Sequence, residues 1–295
     1  MKRQLGAFII GLCLISTFGA DGEDSFWDRV VLQKTFDKTV VPDAASFSFL
    51  SPAGSGNTYA IASALRVNVV PKTLEQFLEF GPFVEYNRNT DLKTEQNSLT
   101  AGLSFDWTTG DLSASPWVGL VTGKVNYARQ PIKAADSFQA SLLITGVPQA
   151  RGDRPGAYWL PNIRRTLGPI YASFGPYSGL EYERVYSAAS PGQEGSVLRL
   201  VARIQLALQG KKAGPFEKFE VLTAYEYRRD IHDTTADIGR DHPLFVATLT
   251  YYLLKPAAAD DIKNVGISIG YTNGADPAKG LVKQEFTQLS LRIRL

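Results

Sequence analysis

The sequence predicts an all-β chain folded as a single antiparallel transmembrane β-barrel of about twelve strands. Three observations lead there. The last seven residues, Leu289-Ser290-Leu291-Arg292-Ile293-Arg294-Leu295, alternate apolar and polar without a break. Successive strand side chains point to opposite faces, so Leu289, Leu291, Ile293 and Leu295 share an apolar face. Ser290, Arg292 and Arg294 share the polar one. A closed barrel in a bilayer suits such an ending: the last strand pairs with the first, one face meets lipid and the other a polar lumen. Secondly, the same alternation recurs along the chain, punctuated by Gly, Pro, Asn, Asp and Ser. Thirdly, after the amino-terminal apolar run no segment approaches the roughly 20 apolar residues of a spanning helix. The mature chain crosses a membrane with strands or not at all.

The elements follow in order. Lys2 and Arg3 precede an apolar run from Ala7 to Ile15, then Ser16, Thr17, Gly19 and Ala20. That is the pattern of a secretory signal peptide over residues 1–20, with cleavage expected after Ala20. Residues 21–43 form an amino-terminal extension. There Asp24 and Ser25, followed by Phe26, Trp27, Val30 and Val31, suggest either a capped short helix that plugs the lumen or lies along the periplasmic rim, or equally a mobile extension. Residues 44–295 make the barrel. Its first strand is expected at 44–50 and its second at 57–70, with Arg66 and Asn68 opposite Leu65, Val67 and Val69. The third, 77–87, sets Glu79 and Glu85 against Leu78, Phe80, Val84 and Tyr86. The fourth, 97–108, sets Ser104 and Asp106 against Leu103, Phe105 and Trp107.

Strands at 116–128, with Lys124 and Asn126 on the polar face, and at 137–145 come next. In 171–186 Tyr177, Glu181 and Glu183 oppose Phe174, Leu180 and Tyr182. The clearest alternation is 197–208, where Arg199, Arg203 and Gln205 oppose Leu198, Leu200, Ile204 and Leu206. In 219–228 Glu220, Glu226 and Arg228 oppose Val221, Tyr225 and Tyr227. Segments 244–254, 265–272 and 282–295 complete twelve, an even number as a single-chain bacterial barrel requires. Most reach the roughly 9–11 residues of a tilted spanning strand. Counts of ten or fourteen stay open, because the longest connection, 146–169, is long enough to hide strands or fold inward. It falls on the side of both termini, where such barrels usually carry short turns.

Composition narrows the function. Cys13, inside the leader, is the only cysteine, so disulfides and thiol chemistry are excluded from the mature chain. The 31 basic residues less the two of the leader leave 29, against 29 acidic ones, which argues against nucleic acid as a partner. The 16 Phe, 13 Tyr and 4 Trp suit aromatic girdles at two membrane interfaces.

With the leader, the alternating strands and the Leu289–Leu295 ending, the chain resembles Gram-negative outer-membrane β-barrel proteins. The resemblance implies an outer-membrane location, contact with outer-membrane lipid, and recognition of the carboxyl-terminal strand by the barrel-assembly machinery. The class commonly ends on an aromatic residue, and Leu295 departs from that.

The expected lumen residues are Arg66, Lys124, Arg199, Arg203, Arg228, Arg292 and Arg294 among the bases, with Glu85 and Glu181 among the acids. An open lumen so lined admits small hydrophilic solutes and selects them by charge. The clustering of Arg199 with Arg203, and of Arg292 with Arg294, favours anions weakly. Alternatively, opposite charges pair across the lumen and close it, leaving a structural, adhesion or envelope-assembly role. His232-Asp233 and Asp241-His242 bracket a loop, but nothing in their spacing fixes a metal geometry. The serines at 46, 48 and 51 have no histidine in motif context, so an enzyme is the third reading. Gly54-Ser55-Gly56 and Tyr271-Thr272-Asn273-Gly274 read as turns. No cofactor is expected.

Overall fold

The computed structural model describes residues 29–36, 45–50, 58–71, 74, 77–90, 95–110, 117–132, 134–148, 161–188, 194–212, 214–235, 240–254, 264–276 and 282–294. The signal segment, the expected helix cap and start at Asp24, Ser25, Phe26 and Trp27, the Gly54–Gly56 turn and the side chain of Arg294 lie outside what is described. The strands are β1 (Val30–Gln33), β2 (Ala45–Leu50), β3 (Thr58–Val67), β4 (Leu78–Asn89), β5 (Gln96–Thr108), β6 (Trp117–Gln130) and β7 (Ala135–Pro148). They continue with β8 (Arg165–Leu167), β9 (Ile170–Ser187), β10 (Gly195–Gly210), β11 (Phe219–Asp233), β12 (Asp241–Leu254), β13 (Asn264–Asp276) and β14 (Val282–Arg294).

Twelve strands close a wall. From β2 to β7 each pairs antiparallel with its successor; β9 follows β7, the order runs on to β14, and β14 returns to β2. At the closing seam Ser290 lies opposite Ser48 and Leu291 opposite Phe47. Closure leaves no free edge, which is the condition for crossing hydrocarbon with strands.

The two faces differ as the alternation requires. On β10, Leu200, Ile204 and Leu206 are exposed, with Ile204 at 51%, whereas Val201, Gln205 and Ala207 are buried, with Gln205 at 2%. The same phase holds on β13, where exposed Ile267 and Ile269 flank buried Ser268. An exterior this apolar, continued by Leu103, Val125, Leu142 and Leu249, is unsuited to water and matches a lipid-facing band. Aromatic residues bound the band. Trp107, Trp117, Phe219 and Tyr251 lie at the end that carries the termini, the last two edge to face at 5.2 Å. Tyr59, Tyr127, Tyr186 and Tyr271 lie toward the other end.

Two local features depart from expectation, and a third fills the connection whose content the sequence leaves open. The described start of the amino-terminal extension is a strand: Val30–Gln33 pair with Val67–Ala64 on the same edge of β3 whose upper part, Thr58–Ala62, pairs with β2. β-branched Val30 and Val31 fit that edge better than a helix. The first wall strand therefore comes in two pieces, and the chain leaves the wall between them. Secondly, Tyr271–Gly274 is not a turn. β13 continues through it to Asp276, because Phe245 and Glu285 flank Asn273 from both sides. Gly274 sits at φ +128°, and a Cβ there would lie 2.1 Å from the Pro243 oxygen, so glycine serves close approach here. Thirdly, the long connection holds the short strand β8, which folds back on β9 through Gly168 at φ +55°.

Candidate functional site: the polar lumen

Alternation turns one residue in two of each wall strand inward, and these inward side chains form two charged groups. The larger spans β9 to β12. Arg199 donates from Nη1 to Glu183 (2.9 Å) and from Nε to Asp230 (2.9 Å), and Asp230 meets His242 Nε2 at 3.0 Å. Gln139 Nε2 donates to Glu183 (3.0 Å), and Asn126 Nδ2 donates to Gln139 (3.0 Å). This chain of contacts crosses six neighbouring wall strands. Beneath it Arg228 reaches past β10 to grip Glu181 with a two-point fork, 2.7 and 3.0 Å, and also pairs with Glu226. Glu226 pairs in turn with Arg203. Two-point guanidinium–carboxylate contacts fix both partners in one plane.

The second group lines β3 to β6. Arg66 pairs with Glu79 and with Asp106 (3.2 Å), and Lys124 lies 3.6 Å from Glu85. Here the amino-terminal segment enters the lumen. Phe36 is buried at 6%; its N–H donates to Glu85 (2.9 Å), as does the Thr35 hydroxyl (3.1 Å). The Phe36 ring lies 5.7 Å from the Phe83 ring, and the Arg66 guanidinium sits 4.9 Å from the Phe36 centroid. Phe36, Ala64 and Phe83, with Val31 against them, are an apolar knot beside the charged lining of the lumen. The strap narrows the lumen at the end that carries the termini.

Between these groups, near the closing seam, small hydroxyl side chains accompany Arg292. Ser48 and Ser290 share a hydrogen bond of 2.6 Å, and Arg292 donates to Thr250 at 2.9 Å. The structure thus places Arg66, Lys124, Arg199, Arg203, Arg228, Arg292, Glu85 and Glu181 on the inner face. Sequence reasoning omitted Phe83, Gln139, Asp230 and His242. Two of these had a signal: extending the alternation past Arg228 reaches Asp230, and extending it back from Leu244 reaches His242. The two histidines do not converge, because His242 faces inward while exposed His232 stands opposite outward-facing Leu198. Among the described residues no His, Cys, Asp and Glu group could hold a metal ion.

One seam of the wall is stapled rather than laddered. β7 and β9 pair as far as Ile144 opposite Ser178. Continuing that register would set Gly146 opposite Pro176 and Pro148 opposite Phe174, and neither proline has an N–H to offer. Asn162, at φ +58°, supplies both missing donors: its Nδ2 donates to the Gly146 oxygen (2.9 Å) and its backbone N–H to the Phe174 oxygen (2.6 Å). A cavity of about 460 Å³ remains there, lined by Ile144, Thr145, Gly146, Pro176, Tyr177 and Ser178.

No protein-family model matches the chain, and no curated protein matches it. Among solved structures it is similar to a NanC porin in a rhombohedral crystal form, with TM-score 0.40 and 9% identity over 85% of this chain and 98% of that one. It is also similar to the translocator domain of autotransporter NalP from Neisseria meningitidis, with TM-score 0.35 and 10% identity over 99% of this chain and 94% of that one. The twelve-strand closed wall rests on its own hydrogen-bonded ladders, not on these distant likenesses.

Proposed function

We propose that this chain is an outer-membrane channel through which small hydrophilic solutes diffuse, with the Phe36 strap as its constriction and no chemistry of its own. One observation carries the reading: twelve strands close a wall whose inner face gathers the buried charged and polar side chains, while its outer face is apolar. About eight strands make an interior that side chains alone can fill, so a twelve-strand wall leaves width for water or for an inserted segment. The alternative, a closed barrel with a structural, adhesion or envelope-assembly role, draws on the extent of pairing. Arg66, Lys124, Arg199, Arg203 and Arg228 each face a carboxylate.

Pairing also bears on selectivity. Among the described inward residues the acids Glu79, Glu85, Asp106, Glu181, Glu183, Glu220, Glu226 and Asp230 balance the bases Arg66, Lys124, Arg199, Arg203, Arg228 and Arg292 with Arg164 and Lys211 at the rim. The weak anion preference expected from Arg199, Arg203 and Arg292 therefore has no excess of wall charge behind it, and weak discrimination is expected. Recording from the folded protein in a planar bilayer tests the reading. Discrete conductance steps, with a reversal potential near zero in a potassium chloride gradient, support a weakly selective channel. Folded protein that inserts but conducts nothing supports the closed barrel.

A further inference from the structure

We propose an oxyanion-binding site on the inner rim at the end that carries the termini, made by Arg164 and Lys211 around Tyr171. Three segments meet there. Arg164 precedes β8, Tyr171 opens β9, and Lys211 follows β10. The Arg164 guanidinium lies 3.9 Å from the Tyr171 ring centroid, and the Lys211 ammonium lies 5.6 Å from the same centroid. The two cations are therefore less than about 10 Å apart, within the screening length of ordinary saline. Like charges this close repel unless an anion joins them.

Their lack of a carboxylate sets them apart. Deeper in the wall Arg66, Lys124, Arg199, Arg203 and Arg228 are each neutralised by a named acid, whereas among the described residues neither Arg164 nor Lys211 has an ion-pair partner. Glu220 on β11, in register with Tyr171 through Gln209 of β10, is 2% exposed and accepts from Gln209 Nε2 at 2.6 Å, with no contact to Arg164 or Lys211 among the described residues. Arg165, on the opposite face of the hairpin beside Ala172, adds positive potential, and its Nε and Nη2 have no hydrogen-bond partner among the described residues.

The arrangement is built on fixed backbone. The Lys211 N–H donates to the Pro169 oxygen (3.0 Å), and the Lys211 oxygen accepts from Gly214 (3.1 Å). The Tyr171 ring orients both cations through its face while leaving their remaining N–H groups free for a tetrahedral or planar oxyanion. A phosphate, sulfate or carboxylate group, free or carried by a solute or lipid headgroup, is the ligand chemistry that fits. The site stands apart from conduction and is tested by binding alone.

The full chain, folded into phosphatidylcholine vesicles, is titrated with inorganic phosphate, and ³¹P line broadening reads binding. Saturable broadening that sulfate competes away is expected. It should weaken about tenfold or more in the R164Q/K211Q protein, as loss of two charge-assisted contacts implies, and stay unchanged in R129Q, whose arginine lies on the outer face. Heat-modifiable gel migration confirms that each variant is folded. Repeating the titration in phosphatidylglycerol vesicles separates the sources. Unchanged phosphate affinity supports a soluble oxyanion, and loss confined to these vesicles supports a lipid headgroup in the same site. No saturable binding in phosphatidylcholine, or binding by folded R164Q/K211Q equal to that of the parent protein, overturns the proposal.

Discussion

Removing the Arg228 guanidinium should cost the folded barrel about 3 kcal/mol. Arg228 is 1% exposed and carries two acids, Glu181 through the two-point fork and Glu226 through Nη1. In Arg228→Met the side-chain volume is roughly kept and the charge is lost. Glu226 retains Arg203, but Glu181 loses the guanidinium that neutralises it. Breaking a buried pair on one side costs about 3–5 kcal/mol. The Glu181 side chain is 19% exposed, so partial hydration places the loss at the lower end.

Neutralising the orphan should restore part of this. The Arg228→Met/Glu181→Gln protein is expected to be more stable than Arg228→Met by roughly 1–2 kcal/mol, a coupling typical of contacting residues. Urea unfolding in lipid vesicles, followed by tryptophan fluorescence, measures all four corners of the cycle. Because the pair is buried, the coupling should change little with salt. A loss under 0.5 kcal/mol in Arg228→Met, or a double variant destabilised by the sum of the single effects, would refute the claim that the pair neutralises the lumen wall.

Three further outcomes are expected. Asn162→Gly should lower stability by about 1–2 kcal/mol, since the Gly146 oxygen loses its side-chain donor, and Asn162→Ala by roughly one more because φ +58° strains a Cβ; urea midpoints that rank the two the other way would remove Asn162 as the staple. Phe36→Ser should raise single-channel conductance without changing heat-modifiable migration, because it dissolves the apolar knot with Phe83 and Ala64; unchanged conductance in a conducting barrel would take the constriction elsewhere. Leu291→Arg, on an outward position 41% exposed, should lose about 2–4 kcal/mol of membrane folding if near the midplane, whereas Arg292→Leu, facing Thr250 inside, should still assemble; the reverse pattern in a vesicle-folding assay would invert the register.

The wall was legible because a period of two is enforced by its surroundings. With hydrocarbon on one side and polar lumen on the other, Arg199, Arg203 and Gln205 have no other phase available opposite Leu200, Ile204 and Leu206. Elements not governed by that rule were not legible. β1 and β8 are only 4 and 3 residues long, too short for a period, and they exist because β3 and β9 offer an edge their wall partners leave vacant. The Tyr271–Gly274 segment carries turn residues, yet pairing with both neighbours overrides that local preference. Of the candidate site, the inward bases follow from alternation alone. The pairs between them do not, since the Arg228–Glu181 contact depends on how two strands register across β10. The gathering of Arg164, Tyr171 and Lys211 is likewise a product of topology, which sets three separated segments at one rim.

The measurement closest to the central claim is a spin-label scan of residues 197–208 on β10 in reconstituted vesicles, after replacing Cys13, the chain's only cysteine. Labels at 198, 200, 202, 204 and 206 should collide strongly with molecular oxygen dissolved in the bilayer and weakly with a water-soluble nickel chelate. Labels at 199, 201, 203, 205 and 207 should show low oxygen accessibility. Chelate accessibility at the even positions, or an absence of two-residue periodicity, would contradict a wall that faces lipid with one side and a polar lumen with the other.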